Sequence, residues 1–230
     1  MGKVIKAGIE RKLWSREDLV ISTKLFFGTK SGPNDVGYSR KHLIEGKKTS
    51  LKRFKLTMAG LGFYWGTSEW CANDILQACE IANRLGLIRS VFEQPQYHIL
   101  ERSRVEYDFN VLYKKYNYGL TMWSPLASVL LSDDLEEKIA KADELADVAK
   151  EVGCSVAQLS IVWVAANPHV STVILGATSV KQLDENLKAM DFVDKITPEV
   201  RKKIDAIADY QPKFIPQAES HVINLRRKWL

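Results

Sequence analysis

The run VISTKLFF places Lys24 inside a stretch otherwise built to be buried. Either its stem lies along apolar surface and its ammonium reaches water, or it is held in the interior because the ammonium has chemistry to do. Gly176, Ala177, Thr178 and Ser179 stand between a buried run and an amphipathic one. Backbone amides at a helix start, with hydroxyls from Thr178 and Ser179, would cradle a phosphate, and Lys181 and Lys188 would add positive charge. The plain alternative is an N-cap formed by Ser179. Trp123 fits either a core or a flat ligand, and Gln94, followed by a proline, either ends a strand or presents its amide. His42, His98, His169 and His221 pair with no nucleophile, and no metal-ligand spacing occurs. G-x-G-x-x-G, G-x-x-x-x-G-K-[ST] and H-E-x-x-H are all absent, so a dinucleotide fingerprint and a P-loop have no support.

The elements that must position these groups alternate between short apolar runs and helical periods, the pattern of a parallel sheet wrapped by helices. Five runs read as strands: LVISTKLFF, FYWGTS, SVFEQPQYH, GLTMWSPLA and HVSTVILGAT. Ile75, Cys79 and Ala82 share one face of a helix over 73–85, stopped by Gly86. Val105, Phe109, Leu112 and Tyr116 form a second stripe, and Leu135, Ile139, Ala142, Ala146 and Ala149 a third, ended by Gly153. Val156, Leu159, Trp163 and Ala166 form the next, then Val180, Leu183, Leu187 and Met190. Thr197 and Pro198 open a last helix through Val200, Ile204 and Ile207 as N-cap and N1. The strands end in Thr67 and Ser68, Gln94, Trp123 and Ser124, and Gly176 and Thr178. In α/β sheets the loops after such ends build the site.

At 230 residues and 46% hydrophobic, the chain supports one sizeable core and one domain over 1–230. Lysine and arginine number 33 against 28 aspartates and glutamates, but the basic residues are scattered, which argues against nucleic acid. Cys71, Cys79 and Cys154 form no C-x-x-C pair and read as reduced thiols of an intracellular protein. The start MGKVIKAGIERKLW has no apolar signal core, and no run reaches the ~18 apolar residues of a membrane span. A cytoplasmic protein without membrane insertion is expected.

ISTKLFFG, SGPNDVGYSRKHLIEG, SLKR, FYWGTSEW, EQPQY, WSPLAS, VILGAT and QLDEN, in that order, closely resemble the aldo-keto reductases. Within them the chain looks most like the branch containing the β subunits of voltage-gated potassium channels and their plant and fungal relatives. The likeness runs from about Asp18 to Ile207, and 208–230 is a divergent tail. It implies an α/β fold of the TIM-type (β/α)8 barrel family, incomplete here with about five strands, binding NADPH (NADP+) at the C-terminal face. Carried over by position, Ser68 and Gln94 match residues that bond the nicotinamide carboxamide, and Trp123 the aromatic residue against the ring. Ser124, Leu126 and Ser128 match the pyrophosphate loop. Gly176, Thr178, Gln182, Glu185 and Asn186 match the adenosine and 2'-phosphate end. Lys24 matches the active-site lysine, whose ammonium in the family lowers the pKa of a proton-donating tyrosine. A small carbonyl substrate, the cytoplasmic domain of a potassium channel and a homo-oligomer are the partners the resemblance implies.

The pattern breaks in three places. The family's first two strands, with its catalytic aspartate and tyrosine, would precede Met1. After SLKRF the family has a strand ending in a histidine or asparagine and another helix, whereas KLTMAGLG here runs straight into FYWGTSEW. After WSPLAS the basic clamp loop is replaced by Val129, Leu130 and Leu131. Glu69 also stands where channel β subunits often carry a basic residue. Eight strands and eight helices take about 250 residues, so five strands do not close a barrel. The expectation is an NADP(H)-binding reductase-like chain, internally shortened and impaired in its reductase step. A non-catalytic channel subunit and an inactive product are the alternatives.

Overall fold

The computed structural model describes residues 1–26, 37, 39–54, 64–126 and 135–213. The chain divides into two compact units, with the boundary at Phe63 and Tyr64.

The first unit pairs helices α1 (Gly2–Glu10) and α2 (Arg40–Phe54). They meet closely: a Cβ built on Gly2 would lie 2.4 Å from the Arg53 carbonyl oxygen. Thr23 and Leu25 of the connecting segment lie against α2, where Leu25 Cδ2 is 3.0 Å from the Cβ position of Gly46 and the Thr23 hydroxyl donates to Ser50 Oγ at 3.4 Å. This segment includes the run expected to be the Lys24 strand. Its described residues, 19–26, adopt no strand, and Lys24 is exposed. A strand exists through its ladder of backbone bonds, and among the described residues of this unit the run has helices beside it rather than another strand.

Among its described residues the second unit has four parallel strands, β1 (Gly66–Thr67), β2 (Phe92–Glu93), β3 (Gly119–Met122) and β4 (Val170–Val173), ordered as in the sequence. Four of the five expected strands therefore form, and the α/β parallel class stands as an open sheet. Gly66 marks the tightest approach: a Cβ there would sit 2.5 Å from the Phe92 carbonyl oxygen and touch its ring, so only glycine lets β1 lie against β2. The register pairs Thr67 with Glu93 and Glu93 with Leu120. These three share the face toward the core and are buried.

Helices cover that face. α3 (Ala72–Arg84) buries Ile75, Cys79 and Ala82 as its period predicts, and Gly86 follows at φ +64°. A π-helical turn (Ser103–Asp108) and α4 (Asn110–Tyr116) bring in Val105, Phe109 and Leu112. α5 (Leu135–Val152) buries Leu145, Val148, Ala149 and Val152, while Ala146 and Ile139 lie outward, so the inner stripe is rotated from the expected one. It packs between α6 (Val156–Ala165) and α8 (Pro198–Ala208), which fix its rotation. Ser155 and Gln158 close a capping box on α6, whose Leu159 and Trp163 are fully buried. Arg102, itself buried, lies 4.6 Å over the Trp163 ring and pairs with Asp205 of α8 at 2.6 Å. Thr197 caps α8 and Pro198 takes its first turn, as expected.

The stripe after β4 differs. On α7 (Val180–Leu187) and the 3-10 turn that follows, Val180, Leu183, Leu187 and Met190 are exposed, while Asn186 and Ala189 face inward. A buried Gln158 side chain donates to the Glu185 carbonyl at 2.9 Å and turns that side of α7 toward α6. Among the described residues no single helix is long and apolar enough to cross a membrane. The three cysteines are free thiols, each held above its ordinary pKa by burial.

Candidate functional site

The residues after β1, β2 and β3 converge at the C-terminal ends of the strands. Gln94 follows β2, and its backbone N–H extends the ladder to the Thr67 carbonyl at 2.9 Å. Alternation then turns its side chain away from Glu93 and toward Thr121, whose hydroxyl accepts from Gln94 Nε2 at 3.4 Å. The Ser68 hydroxyl donates to the Gln94 carbonyl at 2.9 Å. Trp123 continues β3 through a bridge to Gln96, its backbone N–H meeting the Pro95 carbonyl at 3.3 Å. Three of the sequence-derived residues, Ser68, Gln94 and Trp123, are thus neighbours at the strand ends. Ser124 follows at φ +56°, and Leu126 is half-buried. Ser128 lies outside the described residues.

Glu69 ties this cluster together. Its Oε1 accepts from Trp123 Nε1 at 2.9 Å and from the Gln96 N–H at 2.7 Å, and its Oε2 lies 3.5 Å from Arg104 Nε. Behind it Glu93 is fully buried, bonded to the Thr67 hydroxyl and accepting from the Trp70 N–H at 3.1 Å. Desolvation pushes its carboxyl up to about 7, against the pull of those two hydrogen bonds toward the ionised form. Its role was not read from the sequence, although the signal was there: a charge inside an apolar run, as at Lys24.

The segment after β4 forms a second cluster. Ser179 accepts from the Gln182 N–H at 3.2 Å, so the N-cap reading holds. The Gln182 side chain in turn accepts from the Thr178 N–H at 2.8 Å and its hydroxyl at 3.1 Å. The amide expected to cradle a phosphate is therefore engaged by Gln182. Gly176 has open space where a Cβ would point, leaving its backbone approachable. Glu185 is exposed, whereas Asn186 is buried with no partner for its Nδ2 among the described residues. Lys181 and Lys188 line a shallow groove of about 560 Å³ with Gln158, Asp184 and Glu185, so their charge is offset by two carboxylates.

Lys24 belongs to the first unit and the other described candidates to the second. His221 lies outside the described residues. His98 is buried and accepts from the Leu100 N–H at 3.2 Å, and His169 stacks on Tyr113 at 3.7 Å, both structural contacts. Tyr97, Tyr113, Tyr118 and Tyr210 are all moved by burial away from easy ionisation, Tyr118 up to about 12. Among the described residues no group of three or more metal-ligating side chains gathers.

The family model described as "Aldo/keto reductase family" matches residues 55–209. A probable voltage-gated potassium channel subunit beta of Oryza sativa subsp. japonica is 39% identical over 252 residues, covering 87% of this chain and 76% of that protein. The protein of the same description from Arabidopsis thaliana is 38% identical with the same coverage. A putative voltage-gated potassium channel subunit beta of Schizosaccharomyces pombe is 37% identical over 266 residues, covering 92% of this chain and 76% of its own length. Since 87% of 230 residues is about 200, the rice alignment contains about 50 positions that this chain does not fill.

Proposed function

The chain belongs to the aldo/keto reductase family, and from that premise we propose that its second unit retains the nicotinamide end of an NADP(H) site while its reductase step is impaired. The observation that carries this reading is the convergence of Ser68, Gln94 and Trp123 at three adjacent parallel strand ends. Parallel sheets present ligand sites there because the strand termini are the one place where ladder groups run out and side chains from successive strands meet. An amide, a hydroxyl and a half-buried indole suit a carboxamide-bearing flat ring. When bound there, NADP(H) would supply hydride chemistry, and Ser68, Gln94 and Trp123 would hold and orient its ring. At the other end, Gly176 offers an uncrowded backbone and Asn186 a donor with no partner among the described residues, and Ser124 and Leu126 follow Trp123 in the chain. Thr178, Gln182 and Glu185 would complete that end once Gln182 releases the Thr178 amide.

Impairment rests on two observations. Lys24, at the position of the family's lysine, is exposed on a run whose described residues, 19–26, adopt no strand. A proton donor needs a pKa near the working pH, and the tyrosines that burial perturbs are moved the other way. About 50 unfilled alignment positions suit the loss of a strand and helix between SLKRF and FYWGTS.

The second reading, a non-catalytic channel subunit, is favoured by the names of the three relatives. It is compatible with the first, since cofactor binding without turnover suits a regulator. Co-purification with a channel's cytoplasmic domain tests it.

Fluorescence titration with NADPH tests the cofactor site. Binding weaker than that of the intact relatives is expected, with a further loss of about tenfold in Gln94→Ala, the size of a buried amide contact. No binding, or binding indifferent to Gln94, would refute the reading.

A further inference from the structure

We propose that Glu69 is the positioning residue that sets the indole plane of Trp123. The inference rests on Trp123 lying at the nicotinamide end, and it concerns a residue to which the cofactor reading above assigns no part.

The only polar atom of an indole is its Nε1–H, a donor. The backbone of Trp123 is already pinned by Pro95 and Gln96, so the ring keeps two side-chain torsions to choose. A fixed acceptor at Nε1 selects one ring orientation, and Glu69 Oε1 supplies it at 2.9 Å. A carboxylate acceptor makes the bond stronger than a neutral oxygen would.

The carboxylate is itself held by two further groups. The Gln96 N–H donates to the same oxygen at 2.7 Å. Arg104 Nε lies 3.5 Å from the other oxygen, and Arg104 Nη1 is anchored by the Trp70 carbonyl at 2.7 Å. The Glu69 backbone sits at φ +63°, in the left-handed region that side chains other than glycine adopt at a cost. Such a conformation persists where surrounding bonds over-determine it, and here the bonds converge on the strand ends. One carboxylate thus links the loop after β1, the extension of β2 and the aromatic residue after β3.

The test begins with the protein alone. The indole N–H resonance of Trp123, one of six tryptophans, is assigned by its disappearance in Trp123→Phe. It should move upfield in Glu69→Ala and less so in Glu69→Gln, which keeps an acceptor and guards against loss of fold. NADPH affinity is then measured for Glu69→Ala in both backgrounds. A loss of about fivefold with Trp123 present and under about twofold with Phe at 123 is expected, because coupling shows only when both partners remain. An unmoved resonance, or equal losses in both backgrounds, overturns the proposal. A resonance that moves in a protein binding no NADPH upholds the positioning contact and overturns the cofactor reading instead.

Discussion

Glu93 shows how a single residue carries the tension of this fold. Burial favours its protonated form, while Thr67 and the Trp70 amide favour the carboxylate, and burial wins. Between its ordinary value of 4.5 and about 7, the folded carboxyl keeps a proton that the unfolded one has released. Its contribution to stability is complete below that window, falls as pH rises through it and levels off above. Glu93→Gln keeps the shape without the charge. It should gain stability over the unmodified chain as pH rises from 5 to 8, reaching on the order of 3 kcal/mol. Urea unfolding at several pH values checks this, and a gain that shrinks as pH rises would contradict it. Lys24 illustrates the opposite outcome. The same signal, a charge in an apolar run, leads here to an exposed side chain.

Among the elements, the β1–β2 contact is the most sharply constrained. Gly66→Ala would drive a Cβ against the Phe92 carbonyl, and backbone cannot swing aside as a side-chain tip can. A loss of about 1–3 kcal/mol is expected from such overpacking, together with weakened NADPH binding, since Ser68 and Gln94 depend on that pairing. Gly86→Ala is the useful control: its site is uncrowded, so its cost is the φ +64° strain alone and NADPH affinity should hold. Equal affinities in the two variants would argue that strand spacing does not position the site. The helices of the second unit were legible because caps and apolar period are local properties, as Thr197, Pro198 and the α3 stripe show. The exposed stripe of Val180, Leu183 and Leu187 was not, because periodicity reveals an apolar face without saying what covers it. The Lys24 run failed for a related reason, since a strand needs a partner that its own residues do not specify.

At the scale of the molecule, the four parallel strands among the described residues make an open sheet. The order of strand ends was readable in the sequence, and so were the residues that meet there. The contacts of Glu69 and the burial of Glu93 were not, because both arise from packing between strands distant in the chain. The account predicts a protein that engages NADPH without using it. The measurement that tests this most directly is NADPH fluorescence followed over time with an aldehyde present, on the unmodified chain and on Lys24→Met. The account predicts an immediate change in emission on binding, then a decay no faster than in Lys24→Met. A decay about tenfold faster, some 1.4 kcal/mol of barrier lowering assignable to Lys24, or no binding change at all, would contradict it.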